Sequence, residues 1–226
     1  MMIKQNQSKD YLNSISLYDI HLTTKSYNVK ELEDLGAKHV LFFINAYDNK
    51  DYRPLPNENY KFDISFLGGY EKDRLDQMLY LAKKGLKINI YGPSWEGKEK
   101  THPNLKIKSG WVQSKEASRI FSITKINLHF LRKLARDLQT TRTMEIPGSA
   151  GFMLAERTVE HSKLFEEGKE ADFFSNKEEL FNKINYYLNN EDKRLKISKM
   201  GYKRCVSSGY DYKTLLNKII DTINKL

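Results

Sequence analysis

Residues 62–92, FDISFLGGYEKDRLDQMLYLAKKGLKINIYG, hold a strand, a glycine pair, a helix and a second strand in one run. FDISFLGG (62–69) alternates apolar and polar residues and ends on Gly68 and Gly69. Leu75, Met78, Leu79 and Ala82 then recur at helical spacing, which puts them on one face. LKINIYG (86–92) returns to a strand-like run. Two strands joined by a helical crossover are the repeating unit of a parallel sheet.

The same alternation continues on both sides. Downstream, LKIKSGW (105–111) predicts a strand, SKEASRIFSIT (114–124) a helix, and KINLHFL (125–131) a buried strand. A Pro/Gly/Ser-containing helical turn leads into the strand GFMLAE (151–156), and ADFFS (171–175) reads as the last strand. A helix with Phe181, Ile184 and Leu188 inward follows, then another from Arg194 to Val206. The tail DYKTLLNKIIDTINKL is amphipathic, with Tyr212, Leu215, Leu216, Ile219, Ile220 and Ile223 on one side. Upstream, YDIHLTT (18–24) predicts a strand, VKELEDLG a helix ending at Gly36, and HVLFFIN (39–45) a buried parallel strand. AYDNKDYRPLPNENYK (46–61) is rich in Pro, Asn and Asp and reads as a linker. The predicted fold class is α/β, a doubly wound parallel sheet.

The 226 residues suffice for one large domain, or one domain and part of another. A hydrophobic fraction of 39% supports a sizeable core, while a mean hydropathy of −0.66 makes the surface very polar. No apolar run approaches the roughly 20 residues of a membrane-spanning helix, and the N-terminal stretch has no apolar centre of a secretory signal. With Cys205 alone there is no intramolecular disulfide, and a reducing cytoplasm is the expected compartment. The net charge of +9 comes from dispersed lysines rather than one basic strip, so a weak attraction to an anionic membrane face is favoured over nucleic acid.

Sheets of this kind bind ligands beyond the carboxyl ends of their strands, and several segments at that edge carry chemistry. Gly68 and Gly69 let backbone approach a phosphate, or simply form a tight turn, and Arg74 lies one turn further on. Tyr91 and Gly92, with Pro93, either pack a base or end a strand; Trp95 either stacks on a base or, the favoured reading, fills a gap. The loop after Leu131 holds Arg132, Lys133, Arg136, Asp137, Thr140, Thr141 and Arg142, cations and hydroxyls that suit a diphosphate or make up a solvated loop. In RTMEIPGSAGFMLAE (142–156), Arg142 and Glu145 stand three residues apart at a helix start. The arginine can chelate phosphate and the carboxylate can accept a vicinal diol; the plain reading is a capping Glu145 beside a solvated Arg142. His21, His39, His102, His129 and His161 are scattered, without a zinc motif, and P-loop, Gly-x-Gly-x-x-Gly, Gly-x-Ser-x-Gly and Asp-x-Asp motifs are absent.

FDISFLGGYEKDR, LKINIYGPSW and RTMEIPGSAGFMLAERTVEH…LFEEGKEADFFSNKEEL together resemble the C-terminal domain of the CgeB-like, spore-maturation-protein type glycosyltransferases of GT-B architecture. The resemblance spans roughly residues 18–226 and is densest at 62–92 and 125–180. It implies a remnant of the GT-B N-terminal domain plus linker at 1–55, a nucleotide-sugar-binding domain at 56–210, and a C-terminal helix at 211–226 packing back on the N-terminal part. By the same resemblance Glu145 holds the donor ribose, and Arg142 and the Gly68–Gly69 loop contact its diphosphate. Asp137 stands where broader retaining GT-B families carry the first glutamate of their Glu-x7-Glu pair, making it the candidate catalytic residue. Arg74, Tyr91, Gly92 and Thr141 complete the expected donor site. The implied activity is metal-independent transfer of a sugar from a nucleoside-diphosphate donor to a glycan, lipid-linked or protein acceptor in envelope polysaccharide synthesis, with no cofactor beyond the donor. The short stretch before the second series implies a fragment, a shortened paralogue or a partner-dependent subunit. The alternative reading is a nucleotide-sugar-binding remnant without turnover.

Overall fold

The computed structural model describes residues 8–55 and 59–226. The chain divides into two units, one running up to Asn45 together with Asp221–Leu226, the other Ala46–Ile220.

The first unit starts with helix α1, Lys9–Ser14, whose Ser8 cap accepts the Tyr11 N–H. A 3-10 turn, Ile15–Leu17, precedes strand β1, Ile20–Thr23, helix α2, Ser26–Glu33, and strand β2, His39–Phe42. β1 and β2 pair in parallel from Ile20 opposite His39 to Thr23 opposite Phe42. The apolar run HVLFFIN predicts a buried strand over seven residues. Its strand covers four, with Val40 and Leu41 half-buried and His39 and Phe42 exposed. A parallel strand is buried only where both sheet faces are covered, and among the described residues of this unit the buried apolar side chains are Ile15 and Leu32.

The second unit is built on six parallel strands: β3, Phe62–Leu67; β4, Ile88–Gly92; β5, Leu105–Ser109; β6, Thr124–His129; β7, Met153–Glu156; and β8, Asp172–Phe174. Their order is β5-β4-β3-β6-β7-β8, all neighbours parallel. The predicted doubly wound sheet is present, in the strand order of a Rossmann-like domain. Helices α3, Lys72–Lys83, α4, Ser114–Ser122, α5, Thr141–Gly148, α6, Val159–Leu164, α7, Lys177–Asn189, and α8, Glu191–Ser208, make the crossovers and outer layers. Ile64, Phe66, Ile88, Ile90, Ile126, Leu128 and Leu154 supply the sheet side of the core, against Leu75, Met78, Leu81 and Ala82 of α3 and Leu180, Ile184 and Tyr187 of α7.

Two expectations are corrected here. In α7 the buried stripe is Leu180, Ile184 and Tyr187, while Phe181 and Leu188 are partly buried beside it. The helix is turned by about one residue because the Tyr187 hydroxyl donates to Asp172 Oδ2 at 2.6 Å, a partner that lets the phenol stay inside. The segment after Asn45 is not a free linker, since Ala46, Tyr47 and Tyr52 are buried. Tyr47 bridges to Asp211 in parallel, and the Tyr212 N–H donates to the Tyr47 carbonyl at 3.0 Å. Residues 56–58 of that stretch lie outside the described residues. The tail forms α9, Tyr212–Ile223, yet of its six apolar residues only Ile219 is buried, and Leu216 and Ile220 are each 52% exposed. Among the described residues no helix is long and apolar enough to cross a membrane.

Candidate nucleotide-sugar site

The sheet reverses direction of growth between β3 and β6, so the loops that follow these two paired strands run off in opposite directions and leave a crevice beyond their carboxyl ends. A cleft of about 360 Å³ opens there. Its walls are the β3 loop (Leu67, Gly68, Gly69, Tyr70, Glu71), the β4 end (Gly92, Pro93, Ser94), Trp111 and Val112 after β5, and the guanidinium groups of Arg74, Arg132 and Arg142.

The floor is set by backbone contact. The Gly68 N–H donates to the Tyr91 carbonyl at 2.8 Å, and the Gly68 carbonyl accepts the indole N–H of Trp95 at 2.9 Å. Trp95 is wholly buried, in keeping with its reading as a gap-filling side chain. A Cβ on Gly68 would lie 2.7 Å from the Phe66 ring, so this glycine is demanded by packing before any ligand enters. Gly69 has room for a side chain, its nearest neighbour standing 3.7 Å from an added Cβ.

The three arginines have different duties. Arg74 is buried: Nη1 donates to the Gly69 carbonyl at 2.9 Å and Nη2 to the Phe130 carbonyl at 3.1 Å. It thereby braces the β3 loop against the end of β6 while its edge lines the cleft. Arg132, mostly exposed, pairs through Nε with Glu71 at 2.9 Å. Arg142 donates from Nε to the Leu67 carbonyl at 3.3 Å and pairs through Nη1 with Glu145. It leaves the first turn of α5, where Thr140 caps the helix by accepting the Arg142 N–H. The positive dipole end of that helix adds to the field of the cleft.

Glu145 is buried, held by Arg142 rather than forming part of the cleft wall. Tyr52 lies against it, and burial first, then the charge of Glu145, raise the phenol above its ordinary value. Tyr212 is raised likewise, by burial and then by Glu145 and Asp48. Thr141 is the half-exposed first residue of α5. Asp137 is half-exposed in the preceding loop, its N–H donating to the Arg132 carbonyl at 3.2 Å.

Of the residues expected to act together, Gly68, Gly69, Arg74, Gly92 and Arg142 line one cleft, with Glu145 paired to the last of them. Tyr91 does not: it faces two other depressions, beside Asn89 and Lys108 and beside Gly110 and Gln113. Its position in β4 turns its side chain away from the β3 loop that follows the same sheet edge. The sequence reading passed over Glu71, Trp111 and Tyr52. For one of them the sequence did hold a signal, a tryptophan at the end of a predicted strand, and the structure leaves Trp111 87% exposed.

The family model described as glycosyl transferase-like matches residues 74–221. A search of curated proteins gives no match. Among solved structures, Anabaena Alr3699/HepE in complex with UDP-glucose aligns with a TM-score of 0.73 at 13% identity, over 99% of this chain and 70% of that one. The C-terminal domain of LpcC, a glycosyl transferase group 1 family protein from Francisella tularensis, aligns at TM-score 0.58 and 14% identity, over 74% of this chain and 99% of that one. A mutant of S. aureus TarM in complex with Fondaparinux, alpha-GlcNAc-glycerol and UDP aligns at TM-score 0.71 and 13% identity, over 94% of this chain and 45% of that one. At such identities the likeness is one of fold, and the family rests on the matched segment, which takes in most of α3 to α9 and all the strands from β4 to β8. The chain belongs to the glycosyl transferase-like family, with the Rossmann-like sheet of GT-B glycosyltransferases.

Proposed function

We propose that the cleft between the β3 and β6 loops takes the nucleoside-diphosphate sugar from which this chain, a CgeB-like glycosyltransferase, transfers a sugar to a glycan, lipid-linked or protein acceptor in envelope polysaccharide synthesis. The observation that carries the reading is the pairing of Arg142 with Glu145 at the N-terminus of α5, beside a cleft walled by two further arginines. A diphosphate satisfies guanidinium groups bidentately, and a ribose diol satisfies a buried carboxylate. On binding, Arg142 exchanges Glu145 for the diphosphate, and the freed carboxylate takes the ribose hydroxyls. The acceptor hydroxyl then attacks the anomeric carbon, the bond from that carbon to the phosphate oxygen breaks, and Arg132, Arg142 and the helix terminus stabilise the departing diphosphate. Asp137 is the candidate catalytic carboxylate. Residues 1–55 serve as part of an N-terminal domain, 56–210 as the donor domain and 211–226 as the helix that returns to it, in a cytoplasmic enzyme touching the anionic inner membrane face. The donor is a substrate, and the reading includes no cofactor.

Thermal shift against UDP-, GDP- and dTDP-sugars tests the binding step. At a hundredfold excess over Kd the preferred donor stabilises by about 2.7 kcal/mol, or roughly 5–10 °C for a chain of this size. Glu145→Ala removes the carboxylate and is expected to weaken that donor about 10- to 100-fold, the worth of one or two charge-assisted hydrogen bonds. Silence towards all three donors, in wild type and variant alike, would sink the donor-site reading. Shift without turnover of donor, with any acceptor offered, would leave a binding protein and sink the transferase reading for this chain.

A further inference from the structure

Thr143, the third residue of α5, has a hydroxyl shared among three elements of the second unit, α5, β6 and α6. Its Oγ1 accepts the Thr140 N–H at 3.0 Å, closing a reciprocal capping box with the Thr140 side chain. The same oxygen stands 3.0 Å from His129 Nε2, at the end of β6, and 3.0 Å from His161 Nε2, in α6. His161 Nδ1 lies 2.7 Å from the carbonyl oxygen of Glu156, the last residue of β7. Thr143, His129 and His161 are 0%, 2% and 0% exposed.

Proton counting fixes the direction of the bonds that His161 and Thr143 make. A carbonyl oxygen only accepts, so His161 carries its proton on Nδ1 and offers a lone pair on Nε2. Thr143 has one hydroxyl proton, and it goes to that lone pair. The two lone pairs of Thr143 Oγ1 are then filled by the Thr140 N–H and by a proton on His129 Nε2. The chain runs His129 to Thr143 to His161 to the Glu156 carbonyl with both imidazoles neutral, and His129 Nε2 also stands 3.4 Å from Thr140 Oγ1. A proton added to His161 Nε2 would aim a third donor at an oxygen with two lone pairs. Burial opposes that proton as well, and on His129 burial is joined by the facing His161, at 5.3 Å between centroids, and by the charges of Arg74 of α3 and Arg142 of α5. Phe173 of β8 stacks on His161 at 5.6 Å and fills that side of the ring. Of the nearby carboxylates, Glu156 is engaged by the Leu131 N–H at 2.6 Å, and Glu160 precedes His161 in α6.

We propose that Thr143 is a positioning residue of the nucleotide site: locked in this neutral chain, its hydroxyl fixes the first turn of α5 and with it the direction in which Arg142 and Glu145 leave the helix. The proposal rests on the donor-site reading, because those two side chains are what it aims. Arg142 immediately precedes Thr143 and Glu145 follows two residues later, so a turn that loses its cap misdirects both.

The test compares Thr143→Ser, which keeps the hydroxyl, with Thr143→Val, which keeps the shape. Binding of UDP, GDP and dTDP is measured by calorimetry at pH 7.5 on full-length protein. Thr143→Val is expected to lose tenfold or more in affinity for the preferred nucleotide, and Thr143→Ser to stay within threefold of wild type. A folded Thr143→Val binding within twofold of wild type would overturn the proposal, since a purely structural cap would lower the melting temperature and leave affinity alone. Imidazole nitrogen NMR of the wild type supplies a reading independent of donor and variant. The expected tautomers are Nδ1–H for His161 and Nε2–H for His129, and either one reversed breaks the chain and the proposal with it. Should the wild type bind none of the nucleotides, the donor-site reading fails. Amide exchange at Arg142 and Thr143 then decides the positioning role alone, with a tenfold acceleration expected in Thr143→Val and an unchanged rate counting against it.

Discussion

Gly92→Ala is expected to lower the melting temperature by about 4–24 °C and to spoil the cleft floor, while Gly69→Ala, at the same edge, changes stability little. Gly92 ends β4 with φ at +140°, a backbone conformation L side chains rarely adopt. A Cβ there would lie 2.3 Å from the Gly68 carbonyl oxygen and 2.6 Å from its carbon, so the neighbouring loop itself must move. That oxygen accepts the indole N–H of the buried Trp95, and displacing it strands a donor inside the protein. Backbone strain and a stranded buried donor each cost about 1–3 kcal/mol, giving roughly 2–6 kcal/mol in all. For a chain of this length each kcal/mol is about 2–4 °C. At Gly69 the nearest atom stands 3.7 Å from an added Cβ, an ordinary contact. Thermal melts of the two variants measure the contrast. A loss under 2 °C for Gly92→Ala would mean that the β3 loop yields freely and does not set the cleft.

The importance of Gly92 shows which parts of this protein can be read in advance. The series from β3 to β8 was legible because its strands show either period-two alternation, as in FDISFL and LKIKS, or a continuous apolar run, as in FMLA, and the helices between them need one apolar stripe. What escaped depends on partners distant in sequence. Arg74 reads as a ligand contact from its place near a helix start, yet its donors go to the carbonyls of Gly69 and Phe130, and main-chain acceptors leave no mark in a sequence. Tyr52 sits in a Pro- and Asn-rich stretch that looks like linker, and only the fold brings it against Glu145. Tyr187 replaced Phe181 on the buried face of α7 because Asp172, fifteen residues earlier, accepts its hydroxyl proton. The pairing of Arg142 with Glu145 was readable, since a separation of three residues on a helix makes the two side chains neighbours. The histidines read as scattered because His129 and His161 meet only across β6, α5 and α6.

Those two histidines give the second large effect: acidification is expected to destabilise the protein in two stages, the first of them theirs. Burial holds both imidazoles below the ordinary 6.5, His129 well below it and His161 at about 4. For His129 the charges of His161, Arg74 and Arg142 add to burial; for His161 burial outweighs the Glu156 carbonyl, which favours the charged form. In the unfolded chain each titrates near its ordinary value. Above pH 6.5 both states are neutral and the stabilisation is fully present. As pH falls from 6.5 towards 4, the unfolded state takes up protons that the folded state refuses, and stability is lost. For His161 the gap between 6.5 and about 4 corresponds to about 3 kcal/mol, and His129 adds in the same direction. Glu167 and Glu179 behave separately. Arg157 holds both below their ordinary 4.5, Glu179 at about 2, so their contribution is intact above 4.5 and lost only further down. The interval from 6.5 to 4.5 therefore isolates the histidines. Urea midpoints at pH 7.5, 6.5, 5.5 and 4.5 should fall steadily in the wild type. His161→Gln, whose amide can donate to the Glu156 carbonyl and accept from Thr143 without titrating, should fall about half as steeply. A wild-type midpoint flat between pH 7 and 5 would mean that the imidazoles are hydrated or charged in the folded state, and the neutral chain across Thr143 would fall with it.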